Sequence, residues 1–185
     1  AVARYLAFNG RRSGARLATA VLTPRRRRGT DRGRLYFFSE TGSVHWRYRY
    51  STVYEDRYGY NNGPRSSPVL DEIGGRVYTV GAEGKLHAIE LDSGRVIWRK
   101  ELRQDYRVPQ DFFGTASTPL VEGDALIVNV GAPGGPTVVA FALDTGDELW
   151  RAGTEWGASY ASPIPATIHG QRRIFVFAGG ESQPP

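Results

Sequence analysis

Residues 88–98 read Ala-Ile-Glu-Leu-Asp-Ser-Gly-Arg-Val-Ile-Trp, two apolar runs separated by a short polar turn. The glycine of the turn, Gly94, accepts a positive φ at little cost, and the acid and hydroxyl before it can bond nearby backbone N–H groups. A turn of this kind between two apolar runs is typical of a hairpin. The stretch therefore predicts two antiparallel strands joined by a tight turn.

The same pattern recurs along the chain with a period of 52 residues. Its last residues are Trp46, Trp98 and Trp150, and its turn glycines are Gly42, Gly94 and Gly146. A fixed period of this length is typical of a repeat protein, in which each unit buries its apolar face only against a neighbouring unit. We therefore expect the three Trp rings and the three turn glycines to anchor one unit against the next.

Turn signals at intervals of about 8 to 12 residues divide the chain into four-stranded units. We predict part of a first unit at 33–50, nearly whole units at about 66–102 and 117–151, and the beginning of a fourth at 161–185. We expect residues 1–32 to form an irregular, Arg-rich arm. Because consecutive four-stranded meanders pack radially, the fold class is predicted to be all-β, a partial β-propeller of four-stranded antiparallel blades with about three blade equivalents.

Composition and charge exclude several functions. The net charge is +5, but residues 1–34 hold ten Arg and one acid, which leaves 14 basic and 18 acidic residues in the other 151. A groove that tracks phosphates needs cations spread over the folded surface, so we do not expect a nucleic-acid partner. The chain has no Cys, which excludes disulfides and thiolate metal sites. No apolar run approaches the roughly 20 residues of a membrane span.

The stretches from Ala88 to Trp98 and from Ala140 to Trp150 resemble the tryptophan-docking repeat of the PQQ-like β-propeller family. The first copy of the repeat is degenerate, because Tyr36 stands where Ala is expected. The sequence of residues 33–36 resembles that of residues 75–78 instead, and this alignment would require a deletion before Glu40. The family includes quinoprotein alcohol dehydrogenases and non-catalytic, BamB-like proteins that bind polypeptides. The resemblance implies an incomplete propeller with further blades outside these residues, and a periplasmic or extracellular location.

The dehydrogenases of this family hold pyrroloquinoline quinone (PQQ) and Ca²⁺ with carboxylates, an Asn, an Arg and a Trp, and many add a cysteine pair. This chain lacks Cys, and no segment has the spaced Asp and Glu of a Ca²⁺ loop. We therefore expect a non-catalytic binding or scaffold propeller with a protein partner and with no catalytic residue, cofactor or metal. The alternative is a fragment of a PQQ-dependent alcohol dehydrogenase, whose PQQ and Ca²⁺ ligands would come from other blades.

The loops that precede Pro68, Pro119 and Pro163 are the predicted binding rim, because function on a propeller sits on loops at the ends of the channel. We call residues 58–67, 110–118 and 155–162 the first, second and third leading loops. The candidate binding residues are Tyr58, Tyr60, Asn61, Asn62, Arg65, Asp111, Phe113, Trp156 and Tyr160. Rigid rings with a few amides and a guanidinium suit recognition of a polypeptide or another macromolecule. Alternatively, the rings fill spaces between blades and Arg65 pairs with a nearby carboxylate.

Overall fold

The structure, a computed structural model, describes residues 3–7, 17–22, 31–38, 42–58, 64–110 and 114–179. Four antiparallel sheets follow one another, each a meander in chain order. The first contains β1 (Ala3–Ala7), β2 (Leu17–Leu22), β3 (Asp31–Phe38) and β4 (Val44–Thr52). The second contains β5 (Val69–Asp71), β6 (Arg76–Val80), β7 (Lys85–Glu90) and β8 (Val96–Glu101).

One short helix, α1 (Leu102–Asp105), follows the second sheet. The third sheet contains β9 (Leu120–Glu122), β10 (Ala125–Asn129), β11 (Val138–Ala142) and β12 (Glu148–Ala152). The fourth contains β13 (Ile164–Ile168) and β14 (Gln171–Phe175). Over the described residues, no helix is long and apolar enough to span a membrane. The chain has the predicted all-β architecture of four-stranded antiparallel blades.

The first sheet corrects the expectation of an irregular arm. Strand β1 pairs with β2, and β2 pairs with β3, so this sheet begins at Ala3 and has four strands rather than the expected part of a unit. Its second strand reads Leu-Ala-Thr-Ala-Val-Leu, a short apolar run with β-branched residues. The Arg-rich composition of residues 1–32 as a whole concealed this run.

The register of the first copy is also different from the predicted one. Phe37 pairs with Trp46, as Ala88 pairs with Trp98, so Phe37 rather than Tyr36 occupies the position of the small residue. The segment 33–36 lies in β3, the third strand of its sheet, and not in a second strand like residues 76–80. The connection from Phe37 to Trp46 is one residue shorter than that from Ala88 to Trp98. Counting back a fixed number of residues from Trp46 therefore selected the wrong residue.

The apolar core consists of three clusters, one at each junction between successive sheets. At the first junction Leu35 and Phe37 pack with residues of β6 and β7. At the second, Trp98 and Tyr78 pack with residues of β10 and β11, including Phe141. At the third, residues of β10 and β11 pack against Ile174 and Val176 after the turn of the fourth sheet. Each sheet therefore buries a face against the next, as in a propeller.

A Trp reaches across each of the first two junctions to the turn of the following sheet. The Nε1–H of Trp46 donates to the carbonyl oxygen of Leu91 at 2.7 Å, and that of Trp98 donates to the carbonyl oxygen of Leu143 at 3.0 Å. A Cβ placed on Gly146 would lie 2.6 Å from Cδ2 of Trp98. The repeat therefore supplies both an indole donor and a glycine turn that makes room for it.

Candidate functional site

The three leading loops are linked to one another just before their prolines. The backbone N–H of Ser67 donates to Oγ1 of Thr118 at 3.0 Å, and the backbone N–H of Thr118 donates to Oγ of Ser162 at 2.9 Å. These three residues directly precede Pro68, Pro119 and Pro163. The ladder of hydrogen bonds therefore places equivalent points of successive leading loops side by side.

The first leading loop holds Arg65 in an ion pair. A terminal nitrogen of Arg65 lies 3.0 Å from Oδ2 of Asp56, whose side chain is fully buried. The guanidinium also lies over the ring of Tyr54, with Cζ 5.5 Å from the ring centroid. Oδ1 of the same carboxylate accepts the backbone N–H of Tyr58 at 3.0 Å, and the ring of Tyr58 is exposed. This geometry matches the alternative interpretation, in which Arg65 pairs with a carboxylate. The other candidates of this loop, Tyr60, Asn61 and Asn62, lie outside the described residues.

The second leading loop is held at both ends by hydrogen bonds to other parts of the chain. Nε2 of Gln110 donates to the carbonyl oxygen of Glu55 at 2.9 Å, and the backbone N–H of Thr115 donates to the carbonyl oxygen of Ala82 at 2.9 Å. These contacts order both ends of the loop. Its two candidates, Asp111 and Phe113, lie outside the described residues.

The third leading loop carries two exposed rings. Trp156 is 52% exposed and Tyr160 is 45% exposed, whereas the backbone around them is held. Oγ1 of Thr137 donates to the carbonyl oxygen of Trp156 at 2.8 Å, and Gly157 forms a bridge with Gly179. This loop therefore presents aromatic surface from an ordered backbone.

The electrostatics of Tyr54 connect the first and third loops. Burial raises the pKa of Tyr54 above its ordinary value, Arg65 opposes this increase, and Asp56 and Tyr160 add to it. The hydrogen bonds at Thr118 join Ser67 to Ser162, and Arg65 and Tyr160 each lie two residues before one of these serines. The structure thus brings Arg65 and Tyr160 to the same end of the arc.

A small cavity of about 20 Å³ lies where the second and third leading loops meet the end of β10. Its walls include Val108, Thr115, Ser117, Asn129 and Tyr160. Oγ of Ser117 and Oδ1 of Asn129 are buried without a hydrogen-bond partner. Buried polar groups are normally paired, so two such atoms in the wall of one cavity indicate a site that a polar group can fill.

Sequence reasoning missed Ser117 and Asn129. Nδ2 of Asn129 donates to the carbonyl oxygen of Phe177 at 3.2 Å, which turns its Oδ1 away from that partner. The corresponding last residue of β6 in the second sheet is Val80, which is buried and apolar. The signal in the sequence was the single Asn that ends the apolar strand Ala-Leu-Ile-Val-Asn. Only the neighbours in space show that its oxygen has no partner.

The described residues contain no cluster of three or more His, Cys, Asp or Glu side chains that could hold a metal ion. His87 has a different surrounding and packs between two aromatic rings. Its ring centroid lies 5.3 Å from that of Tyr48 and 4.7 Å from that of Tyr50, and the residue is 3% exposed. Burial, with smaller effects of Arg99 and Lys85, lowers the pKa of His87 to about 4.

Comparison with protein families gives a match over most of the chain. The sequence model for the outer membrane protein assembly factor BamB, a PQQ-like family, matches residues 31–182. The chain belongs to this family. Among curated proteins, none matches the sequence.

Solved structures show the same BamB-like and quinoprotein-like propeller fold. BamB from Moraxella catarrhalis is 16% identical, with a TM-score of 0.51, over 87% of this chain and 54% of its own. The quinohemoprotein alcohol dehydrogenase ADHIIG from Pseudomonas putida HK5 is 21% identical, with a TM-score of 0.52, over 76% of this chain and 19% of its own. The quinohemoprotein alcohol dehydrogenase from Comamonas testosteroni is 16% identical, with a TM-score of 0.51, over 74% and 19%. The chain thus spans between about a fifth and about a half of these proteins.

Proposed function

We propose that the chain is part of a non-catalytic binding propeller of the periplasm or cell exterior that engages a polypeptide through its leading loops. The observation that carries this proposal is the pair of exposed rings, Trp156 and Tyr160, that the ordered backbone of the third leading loop presents. Membership of the family of the outer membrane protein assembly factor BamB, together with the likeness to BamB from Moraxella catarrhalis, supports a protein partner and an exported location.

The cavity beside Tyr160 has room for about one water molecule and is too small for a peptide group. An ordered water in it can accept from the Ser117 hydroxyl and donate to Oδ1 of Asn129, and its other hydrogen can bond a polypeptide that packs on the loop. The rings of Trp156 and Tyr160 add rigid contact area on the same loop, which is the usual source of binding energy in a protein interface. Neither ring carries a charge, so we expect binding to depend little on salt.

The proposal is tested with a permanently unfolded, carboxymethylated model protein as the probe, at about 300 mM salt so that exposed charges are screened. The variant Trp156→Ala/Tyr160→Ala should weaken binding, measured by fluorescence anisotropy, at least about tenfold. The control is Ile168→Ala, which removes an apolar side chain of similar exposure from the end of β13 opposite the leading loops. Equal binding by all three proteins would contradict the proposal.

A second variant separates binding from folding. Ser117→Ala removes a buried hydroxyl that has no partner, so the free energy of unfolding should stay the same or rise. If the hydroxyl holds a water that bridges to the bound polypeptide, affinity for the same probe should fall severalfold. A destabilised variant with unchanged affinity would show that Ser117 serves only the fold.

The alternative function is a fragment of a PQQ-dependent alcohol dehydrogenase. Its support is the shared fold with the two quinohemoprotein enzymes, and a fold alone does not specify chemistry. Titration of the chain within its full-length protein with PQQ and Ca²⁺, followed by absorbance, separates the two functions. Stoichiometric binding together with alcohol-dependent reduction of a dye would replace our proposal with the alternative.

A further inference from the structure

The first sheet has an Arg-rich face on the side away from the second sheet. Strand β3 alternates, so that Leu35 and Phe37 are buried against the second sheet and Arg34 and Tyr36 point to the opposite side. Across the sheet, Arg34 pairs with Arg49 and Tyr36 pairs with Arg47. We call the side chains of Arg34, Tyr36, Arg47 and Arg49 the Arg-rich face.

The charges of this face have no carboxylate partner among the described residues. Arg34 and Arg49 are directly opposite each other, an arrangement of like charges that destabilises a sheet. Nε of Arg34 is buried without a hydrogen-bond partner. Elsewhere Arg65, Arg76, Arg95, Arg151 and Arg172 form ion pairs, whereas the described arginines without one, Arg57, Arg99, Arg103, Arg107 and Arg173, are not grouped on one face of a sheet with like charges directly opposite each other. Three unpaired guanidinium groups on one face indicate a surface that is complementary to an anion.

The edge next to this face favours a polypeptide. Strand β4 has nine residues and, within the described part of the chain, pairs only with β3. A long edge strand presents unpaired N–H and C=O groups to which another strand can add. A nucleic acid cannot use these groups in this way. The ring of Tyr36 is stacked with Phe38 at 5.8 Å and lies under Arg47 at 5.8 Å, so its contacts are already made within the sheet rather than with a base.

The spacing of the arginines matches an extended peptide. Arg47 and Arg49 are both exposed. Because they are two residues apart on β4, they lie about 7 Å apart along the strand. Alternate side chains of an added strand have the same spacing and lie on the same face. We propose that β4 and the Arg-rich face bind an extended acidic polypeptide segment, which adds to β4 as a strand and places alternate carboxylates beside Arg47 and Arg49. This surface is separate from the leading loops and does not depend on the function proposed for them.

The probe that tests this proposal is a labelled nine-residue peptide of alternating Glu and Thr, titrated with the full chain at low salt. We expect saturable binding by fluorescence anisotropy, with affinity that falls as salt rises. A Lys-Thr peptide should not bind, and a single-stranded oligonucleotide of equal charge should bind at least about tenfold more weakly. Equal or tighter binding of the oligonucleotide, or no binding of the acidic peptide, would overturn the proposal.

Paired substitutions distinguish the face from net charge alone. Arg47→Gln/Arg49→Gln should weaken binding of the acidic peptide at least about tenfold, while the melting temperature stays nearly the same because both side chains are exposed. The control Arg95→Gln/Arg172→Gln removes two exposed arginines from the second and fourth sheets and makes the same change in net charge. Equal weakening by both pairs would contradict a specific face.

Backbone methylation tests the strand addition. Alternate N–H groups of an extended peptide point to opposite edges, so only one alternate set can face β4. We expect methylation of the backbone nitrogens of one set to abolish binding and methylation of the other set to leave it nearly unchanged. If both methylated peptides bind as tightly as the parent, the peptide does not add as a strand.

Discussion

Trp98 and Trp150 occupy the same place in successive repeats, but 8% of Trp98 and 42% of Trp150 is exposed. The indole of Trp98 donates to the carbonyl oxygen of Leu143 in the following sheet, next to Gly146. The fourth sheet has two strands in the described residues and offers Trp150 no such turn. The comparison teaches that the repeat encodes an interaction between blades, so the same residue is core or surface according to its neighbour.

The first sheet shows the complementary half of this interaction. Gly42 has a φ of +85°, like the other turn glycines, but a Cβ on it would meet no atom within 4 Å. Gly94 and Gly146, both with a φ of +74°, lie against Trp46 and Trp98. In the described residues, a Trp therefore packs on the glycine turn of the next sheet at two junctions. At one end of the described arc Gly42 has no Trp against it, and at the other end Trp150 has no glycine turn to contact.

The largest expected effect is at the docked Trp. Trp98→Ala removes a buried ring that packs with Tyr78 and Phe141, and it removes one of the two donors to the Leu143 carbonyl oxygen, the other being the Tyr78 hydroxyl. We expect a loss of about 3 to 5 kcal/mol in the free energy of unfolding, measured by denaturant titration. A loss below about 1 kcal/mol would show that the docked indole does not hold the second and third sheets together.

The first docked junction should also be sensitive to pH through His87. Its pKa is lowered to about 4 by burial, whereas an unfolded chain has a His pKa of about 6.5. The unfolded state therefore binds the proton first, and stability is full above pH 6.5 and falls as the pH drops toward 4. Linkage predicts a loss of about 3 kcal/mol over this range. His87→Gln should flatten the dependence, and an equal slope in wild type and variant would refute this origin.

Comparison of two glycines measures the docking contact apart from backbone strain. Gly146→Ala and Gly42→Ala both place a side chain at positive φ, a strain of about 1 to 2 kcal/mol. Only at Gly146 would the new Cβ meet an indole, at 2.6 Å. We expect Gly146→Ala to cost about 2 kcal/mol more than Gly42→Ala. Equal losses in denaturant titrations would mean that strain alone explains the glycines.

The repeat was predictable because the two sides of the docking contact recur at a fixed spacing in the sequence. The strands of residues 3–7 and 17–22 were missed because short apolar runs are concealed by the surrounding arginines. Phe37 was missed because the first copy is one residue shorter between it and Trp46. For Arg65 the sequence indicated only that a carboxylate could be its partner, because the pairing with Asp56 depends on the path of the loop between them. Ser117 and Asn129 are defined by absent partners, which a sequence does not show.

The smallest expected effect is at the exposed Trp. Almost half of the Trp150 ring is already exposed to water. Within the described residues its indole makes no hydrogen bond to a following sheet, so Trp150→Ala removes none. We expect the free energy of unfolding to fall by about 1 kcal/mol or less, because exposed side chains contribute little. Fluorescence quenching by acrylamide gives an independent measurement, since Trp98→Ala should leave the quenchable emission in place and Trp150→Ala should reduce it. If Trp150→Ala destabilised the chain as much as Trp98→Ala, the ring would be buried in solution by a neighbour, such as a second copy or a further blade, and the contrast between the two repeats would disappear.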